Sequence, residues 1–149
     1  MRFRAVLTGI VLAGLSVADA SATVRIGNDI GGRIGTYVEN YAAIRSSGER
    51  VMIDGACLSA CTLVLGIVPR DRICVTKRAT LGFHAAWMPG PRGKPVHSAV
   101  GTQALWDIYP QHVKRWISER GGLSSKMMFL RGNELTAMYP ECRMLNTIR

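Results

Sequence analysis

The chain has 149 residues, of which 48% are hydrophobic, with four cysteines, three histidines and a formal charge of +9. That length suits a single domain with a real core. Its basic residues are scattered, with no zinc-knuckle spacing or aromatic-basic strand motif, so a solvated basic surface is expected and nucleic acid is not expected as a partner.

Residues 1–22 read as a secretory signal: Arg2 and Arg4, the apolar run from Ala5 to Val17, then small residues through Ala22. The run of about 13 residues is shorter than the roughly 20 that span a bilayer as a helix. Cleavage is therefore expected, with no transmembrane anchor retained. It leaves residues 23–149 as one domain, 127 residues long, and the loss of two arginines and one aspartate lowers the charge to +8. A periplasmic or secreted location follows, where Cys57, Cys61, Cys74 and Cys142 are expected to form two disulfides. Four cysteines allow three pairings, and the spacing does not choose among them. Zinc is not expected, because Cys57 and Cys61 have no matching second ligand pair.

Along the chain, Thr23–Ile26 reads as a short strand stopped by Gly27-Asn28-Asp29. Ile34, Tyr37, Val38, Tyr41 and Ile44 recur at helical steps, predicting an amphipathic helix from about Ile34 to Arg45 that ends at Ser46-Ser47-Gly48. Val51–Ile53 is an apolar strand, and Gly55 to Leu58 turns the chain into a helix from Ser59 to about Ile67, stopped near Pro69. Arg72–Thr76 and Thr80–His84 read as two further strands. This alternation predicts an α/β fold with a mostly parallel sheet built from βαβ units. Met88 to Pro95, rich in Gly and Pro, reads as an exposed loop. Gly101 to Arg120 is helical with a break at Pro110 and closes at Gly121-Gly122. A last helical piece runs from Ser124 to Met138.

Three segments carry chemistry. Asn28-Asp29-Ile30-Gly31-Gly32 puts a glycine pair between a strand and a helix, where backbone N–H groups can approach a bound oxygen. Asp54 to Thr62 puts Ser59 at the start of a helix, where free N–H groups and the dipole favour developing negative charge. A serine there also serves as an N-cap, worth about 1 kcal/mol. Leu81 to Trp87 puts His84 at the end of an apolar strand, where a neutral imidazole can accept a serine proton. His97, Ser98 and His112 read as surface residues. Trp106 and Trp116 read as packing residues, while Trp87, three residues from His84, is placed to wall a pocket.

The segment Asn28 to Gly32 resembles the Asn-x-Pro-Gly-Gly loop of the Clp protease proteolytic subunit, with Ile30 where proline is usual. Gly55-Ala56-Cys57-Leu58-Ser59 resembles its Gly-x-Ala-x-Ser nucleophile turn, and the 25-residue interval from Ser59 to His84 matches the family's serine-to-histidine spacing. The similarity is closer to exported bacterial proteins of the same Clp protease/crotonase-like superfamily. It extends from about Val24 to Trp87, and more loosely beyond. The resemblance implies a Clp/crotonase-like fold, truncated at its N-terminus because little precedes Val24. Ser59 becomes the nucleophile and His84 the base, with an oxyanion hole from the N–H groups of Gly32 and Ala60. In the family an aspartate follows the long helix; here that stretch, roughly Phe129 to Glu134, offers only Asn133 and Glu134 as third members. The missing opening elements leave a homo-oligomer open but argue against a Clp-type heptamer. Acyl-coenzyme A, handled by the crotonase branch, is intracellular, so no cofactor is expected.

Two functions compete on this reading. The first is a serine hydrolase, a peptidase or esterase acting on a peptide or acyl substrate. The second is a catalytically inactive relative, a disulfide-stapled binding or envelope-interaction module, to which the missing acid and the cysteines flanking Ser59 point. A third, lesser reading is a basic surface that docks an anionic envelope polymer, with strongly salt-dependent binding.

Overall fold

The computed structural model describes residues 22–143; the segment expected to be a signal, residues 1–22, lies outside them except for Ala22. Strand β1 (Thr23–Ile26) pairs in parallel with β2 (Arg50–Ile53), and β2 pairs in parallel with β4 (Ile73–Val75). In β2 and β4 the β-branched residues Val51, Ile53, Ile73 and Val75 are fully buried. The intervening Met52 and Cys74 face the other side, as the two-residue strand period requires. A second sheet contains β3 (Ala56–Leu58), β5 (Thr80–Phe83) and β8 (Met128–Arg131), with β5 parallel to β3 and antiparallel to β8. A separate hairpin joins β6 (Trp87–Pro89) to β7 (Pro95–His97). The chain is therefore mixed α/β, but the single, mostly parallel sheet expected from the sequence is divided into three small ones.

The division has a local cause. Three passes of the chain leave the first sheet at the same level, because Asp54 N–H donates to the Ile26 carbonyl (2.7 Å) and Thr76 N–H to the Ile53 carbonyl (2.9 Å). The passes re-enter pairing in the second sheet, where Asp29 N–H donates to Ala56 O (2.8 Å) and Thr80 N–H to Gly55 O (3.0 Å). Gly55 is required at this step, since a β-carbon on it would stand 1.6 Å from the Gly27 carbonyl oxygen. Asp54 closes the level from outside: it accepts bonds from Thr76 Oγ1 (2.7 Å), Arg25 Nε (2.7 Å) and Arg78 Nε (3.0 Å).

Helix α1 (Ile34–Ser47) follows the predicted face, with Tyr41 buried and Ile34, Tyr37, Val38 and Ile44 packed against the core. The predicted second helix divides into a 3₁₀ stretch, Ser59–Leu63, and a short α2 (Val64–Ile67). The turn expected at Gly55–Leu58 contains β3. Pro110 separates α3 (Ala99–Ile108) from α4 (Gln111–Ser118), as predicted. The predicted loop after Met88 contains the β6–β7 hairpin. The predicted last helix is instead irregular over 124–127, runs as strand β8 and becomes α5 (Gly132–Met138) only afterwards. Phe83 of β5 packs against Tyr109 (ring centroids 5.4 Å apart) and Trp116 (5.7 Å), which seats α3 and α4 over the second sheet.

The disulfides are Cys57–Cys61 and Cys74–Cys142. The second fastens the tail to β4, where Val75 N–H donates to Pro140 O (3.0 Å) and Cys142 N–H donates to Val75 O (2.9 Å). Among the described residues no helix is long and apolar enough to cross a membrane.

Candidate functional site

Ser59 leaves β3 with φ of +56°, a backbone conformation uncommon for a residue with a β-carbon. Three features hold it there. Cys57 and Cys61, both fully buried, bracket it with a disulfide. Thr62 Oγ1 donates to the Ser59 carbonyl (2.6 Å) and lies 2.7 Å from the Tyr109 hydroxyl. Gly31, with φ of +85°, packs directly on the turn, and a β-carbon there would stand 2.5 Å from Leu58 O and 2.7 Å from Ser59 Cβ.

The Ser59 hydroxyl does not cap the helical segment and makes no hydrogen bond with any described residue. The N-cap role considered for it is therefore not the one it has. An L-residue at positive φ costs stability, and such conformations concentrate at functional positions.

The glycine loop is anchored by Asp29. Its Oδ1 accepts from Gly31 N–H (2.8 Å) and from the Tyr37 hydroxyl (2.5 Å), and its carbonyl accepts from Leu58 N–H (2.8 Å). Burial, then the hydrogen bond to Asp29 and its negative charge, push the Tyr37 hydroxyl up to about 12, so it stays a donor. The Gly32 N–H donates to no described group. Ala60 N–H lies in the first turn of the 3₁₀ stretch, where N–H groups lack intrahelical partners.

His84 follows β5 directly. The residues after it are pinned: Ala85 N–H donates to Ser124 O (2.7 Å), Ala86 N–H to Thr102 Oγ1 (3.0 Å), and Ser98 N–H to Ala86 O (2.9 Å). His84 Nδ1 lies 2.7 Å from the Ala85 carbonyl oxygen. A carbonyl only accepts, so Nδ1 is the donor in this contact, and in the neutral ring Nε2 is the nitrogen that can accept a proton.

Ser59, His84, Gly31 and Gly32 line one cavity of about 520 Å³. Trp87 walls it, together with Met88 from the hairpin, and it also borders a second cleft of about 430 Å³ on whose lining His84 appears again. Another cavity, about 690 Å³, is lined by Arg25, Asp54, Thr76 and Arg78; there the Asp54 carboxylate that accepts from Thr76 Oγ1 is also bound by both guanidinium groups, and neither serine nor histidine lines it.

The two candidates for a third member are elsewhere. Asn133 and Glu134 are exposed on α5, and Glu134 pairs with Arg120. They are displaced because the chain from Met128 runs as a strand along β5, which carries the start of α5 away from His84. Ser98 also departs from its surface reading: it lines the cavity, and its Oγ caps α3 by accepting from Gly101 N–H (3.1 Å). His97 is exposed, and half-buried His112 lies 2.9 Å from the Tyr139 hydroxyl. All four cysteines are in disulfides, and among the described residues no cluster of three His, Cys, Asp or Glu is arranged to hold a metal.

Asp29, Tyr37 and Thr62 escaped the sequence reading as supports of the site. A signal existed for Thr62 alone, since it stands three residues after Ser59 on a turn of three-residue period. No family model matches the chain, and no curated protein matches it.

Proposed function

We propose that the protein is an exported serine hydrolase, a peptidase or esterase of the Clp/crotonase-like superfamily. The observation that carries this reading is a serine at positive φ with an unbonded hydroxyl, lining the same cavity as a histidine whose tautomer leaves Nε2 basic. Ser59 Oγ attacks an acyl carbon, forming a C–O bond while its proton passes to His84 Nε2. The resulting oxyanion is held by the N–H groups of Gly32 and Ala60. Collapse breaks the bond to the leaving group, which takes the proton from His84. Water activated by the same imidazole then releases the acid and restores Ser59. The two disulfides support an oxidising location.

The test is covalent labelling of the oxidised protein by a fluorophosphonate probe. Labelling is expected in the wild type, absent in Ser59→Ala and sharply reduced in His84→Ala. A folded wild-type protein that stays unlabelled would sink the proposal.

One observation favours the second reading, a non-catalytic binding module: the partner of His84 Nδ1 is a neutral carbonyl where hydrolases of this type use a carboxylate. On that reading Ser59→Ala leaves the biological phenotype intact.

A further inference from the structure

The cavity holding Ser59 and His84 has an uneven lining. Ile30, Ile34, Trp87, Met88 and Leu105 make its walls apolar, and no aspartate or glutamate lines it. Its one permanently charged residue is Arg33, at the start of α1. The Arg33 side chain makes no hydrogen bond or ion pair with any described residue. Arg25, Arg78 and Arg120 are paired with carboxylates, whereas the exposed Arg33, like the exposed Arg92 and Arg131, has no such partner among the described residues, and of these three only Arg33 lines this cavity. A guanidinium presents a planar fork of donors that fits a carboxylate in two-point contact and keeps its charge at any working pH.

We propose that Arg33 determines specificity, and that the substrate is an acyl compound with an apolar chain bearing a carboxylate, the chain lying on the apolar walls and the anion pairing with Arg33. This rests on the hydrolase reading of Ser59 and His84 and adds the substrate class to it. The chemistry at the acyl carbon is unchanged, and the carboxylate takes no part in bond making.

The experiment compares two esters with the same five-carbon acyl chain, 4-nitrophenyl valerate and 4-nitrophenyl hydrogen glutarate, which differ by a terminal methyl against a carboxylate. With the full oxidised chain, kcat/KM is expected to favour the glutarate by about tenfold, in line with one charge-assisted pair. That preference should shrink in high salt, fall to near one in Arg33→Gln, and survive in part in Arg33→Lys, which keeps the charge without the fork. A wild-type ratio near one, or a ratio that Arg33→Gln leaves unchanged, overturns the substrate class. If valerate is hydrolysed in a Ser59-dependent way without preference for the anion, only this inference falls. If neither ester is cleaved and the fluorophosphonate does not label Ser59, the hydrolase reading fails and the substrate class falls with it.

Discussion

His84 Nδ1 lies 2.7 Å from the carbonyl oxygen of Ala85, the next residue along the chain. The contact orients the ring, but a neutral carbonyl cannot offset the charge of the imidazolium that the proposed attack by Ser59 would form. Exchanging a carboxylate for a neutral amide at this place in a serine protease costs about 10⁴ in turnover. The penalty should weigh most on amides, whose leaving group must be protonated by that imidazolium. Hydrolysis of 4-nitrophenyl esters is therefore expected to exceed that of the matching 4-nitroanilides by more than about 10³ in kcat/KM, read from nitrophenol and nitroaniline release.

Ser59 holds a conformation that glycine adopts without strain. Ser59→Gly is expected to abolish fluorophosphonate labelling while raising stability by about 0.5–1 kcal/mol, or roughly 4 °C in Tm. Loss of labelling together with loss of stability would contradict a strained functional turn. Calorimetry on the oxidised proteins makes the comparison.

The two disulfides should separate in their effects. Cys74–Cys142 closes a long loop, with a sequence separation of 68, and Cys57–Cys61 a short one, with a separation of 4. Chain-entropy arguments assign about 4 kcal/mol to the first and about 2 kcal/mol to the second. Replacing Cys74 and Cys142 by alanine should lower the urea midpoint more, yet leave labelling per folded molecule close to that of the wild type. Replacing Cys57 and Cys61 should cost less stability and slow labelling, because that bridge brackets Ser59.

Tyr37→Phe removes the hydroxyl that donates to Asp29, the residue anchoring the Gly31-Gly32 loop. The expected stability loss is about 1 kcal/mol. Ester turnover should fall several-fold through kcat with KM little changed, as for a positioning residue whose effect reaches the oxyanion donors. Steady-state kinetics on both proteins separate the two constants.

Asp54 is held well below its ordinary value of 3.8, first by the hydrogen bonds from Arg78, then by those from Thr76 and Arg25. A carboxylate depressed on folding stabilises the native state in full above that ordinary value, and the contribution is lost as pH falls from there through the depressed value. Asp54→Asn should thus destabilise the protein at pH 7, and the gap to the wild type should close below about pH 4. Chemical denaturation at pH 7, 4 and 2.5 tests the sign.

Much of the local structure was legible in the residues. The β-branched runs at Val51–Ile53 and Ile73–Val75, the helical spacing from Ile34 to Ile44 and the break at Pro110 all stand where pattern and propensity place them. Ala56–Leu58 and Met128–Arg131 were not legible as strands. Three or four residues carry too little periodicity, and these become strands only through hydrogen bonds to β5, which lies far from each in sequence.

The amino-acid sequence by itself determined the chemical inventory: one serine after a glycine-containing turn, one histidine ending an apolar strand, a glycine pair, and four cysteines. The three-dimensional fold decided the pairing of those cysteines, the carbonyl rather than carboxylate behind the imidazole, and a serine hydroxyl and a cavity-wall arginine that have no bonded partner among the described residues. The reason is physical: propensity acts over a few neighbouring residues, whereas partners and cavities come from chain passes that meet only when the sheets form.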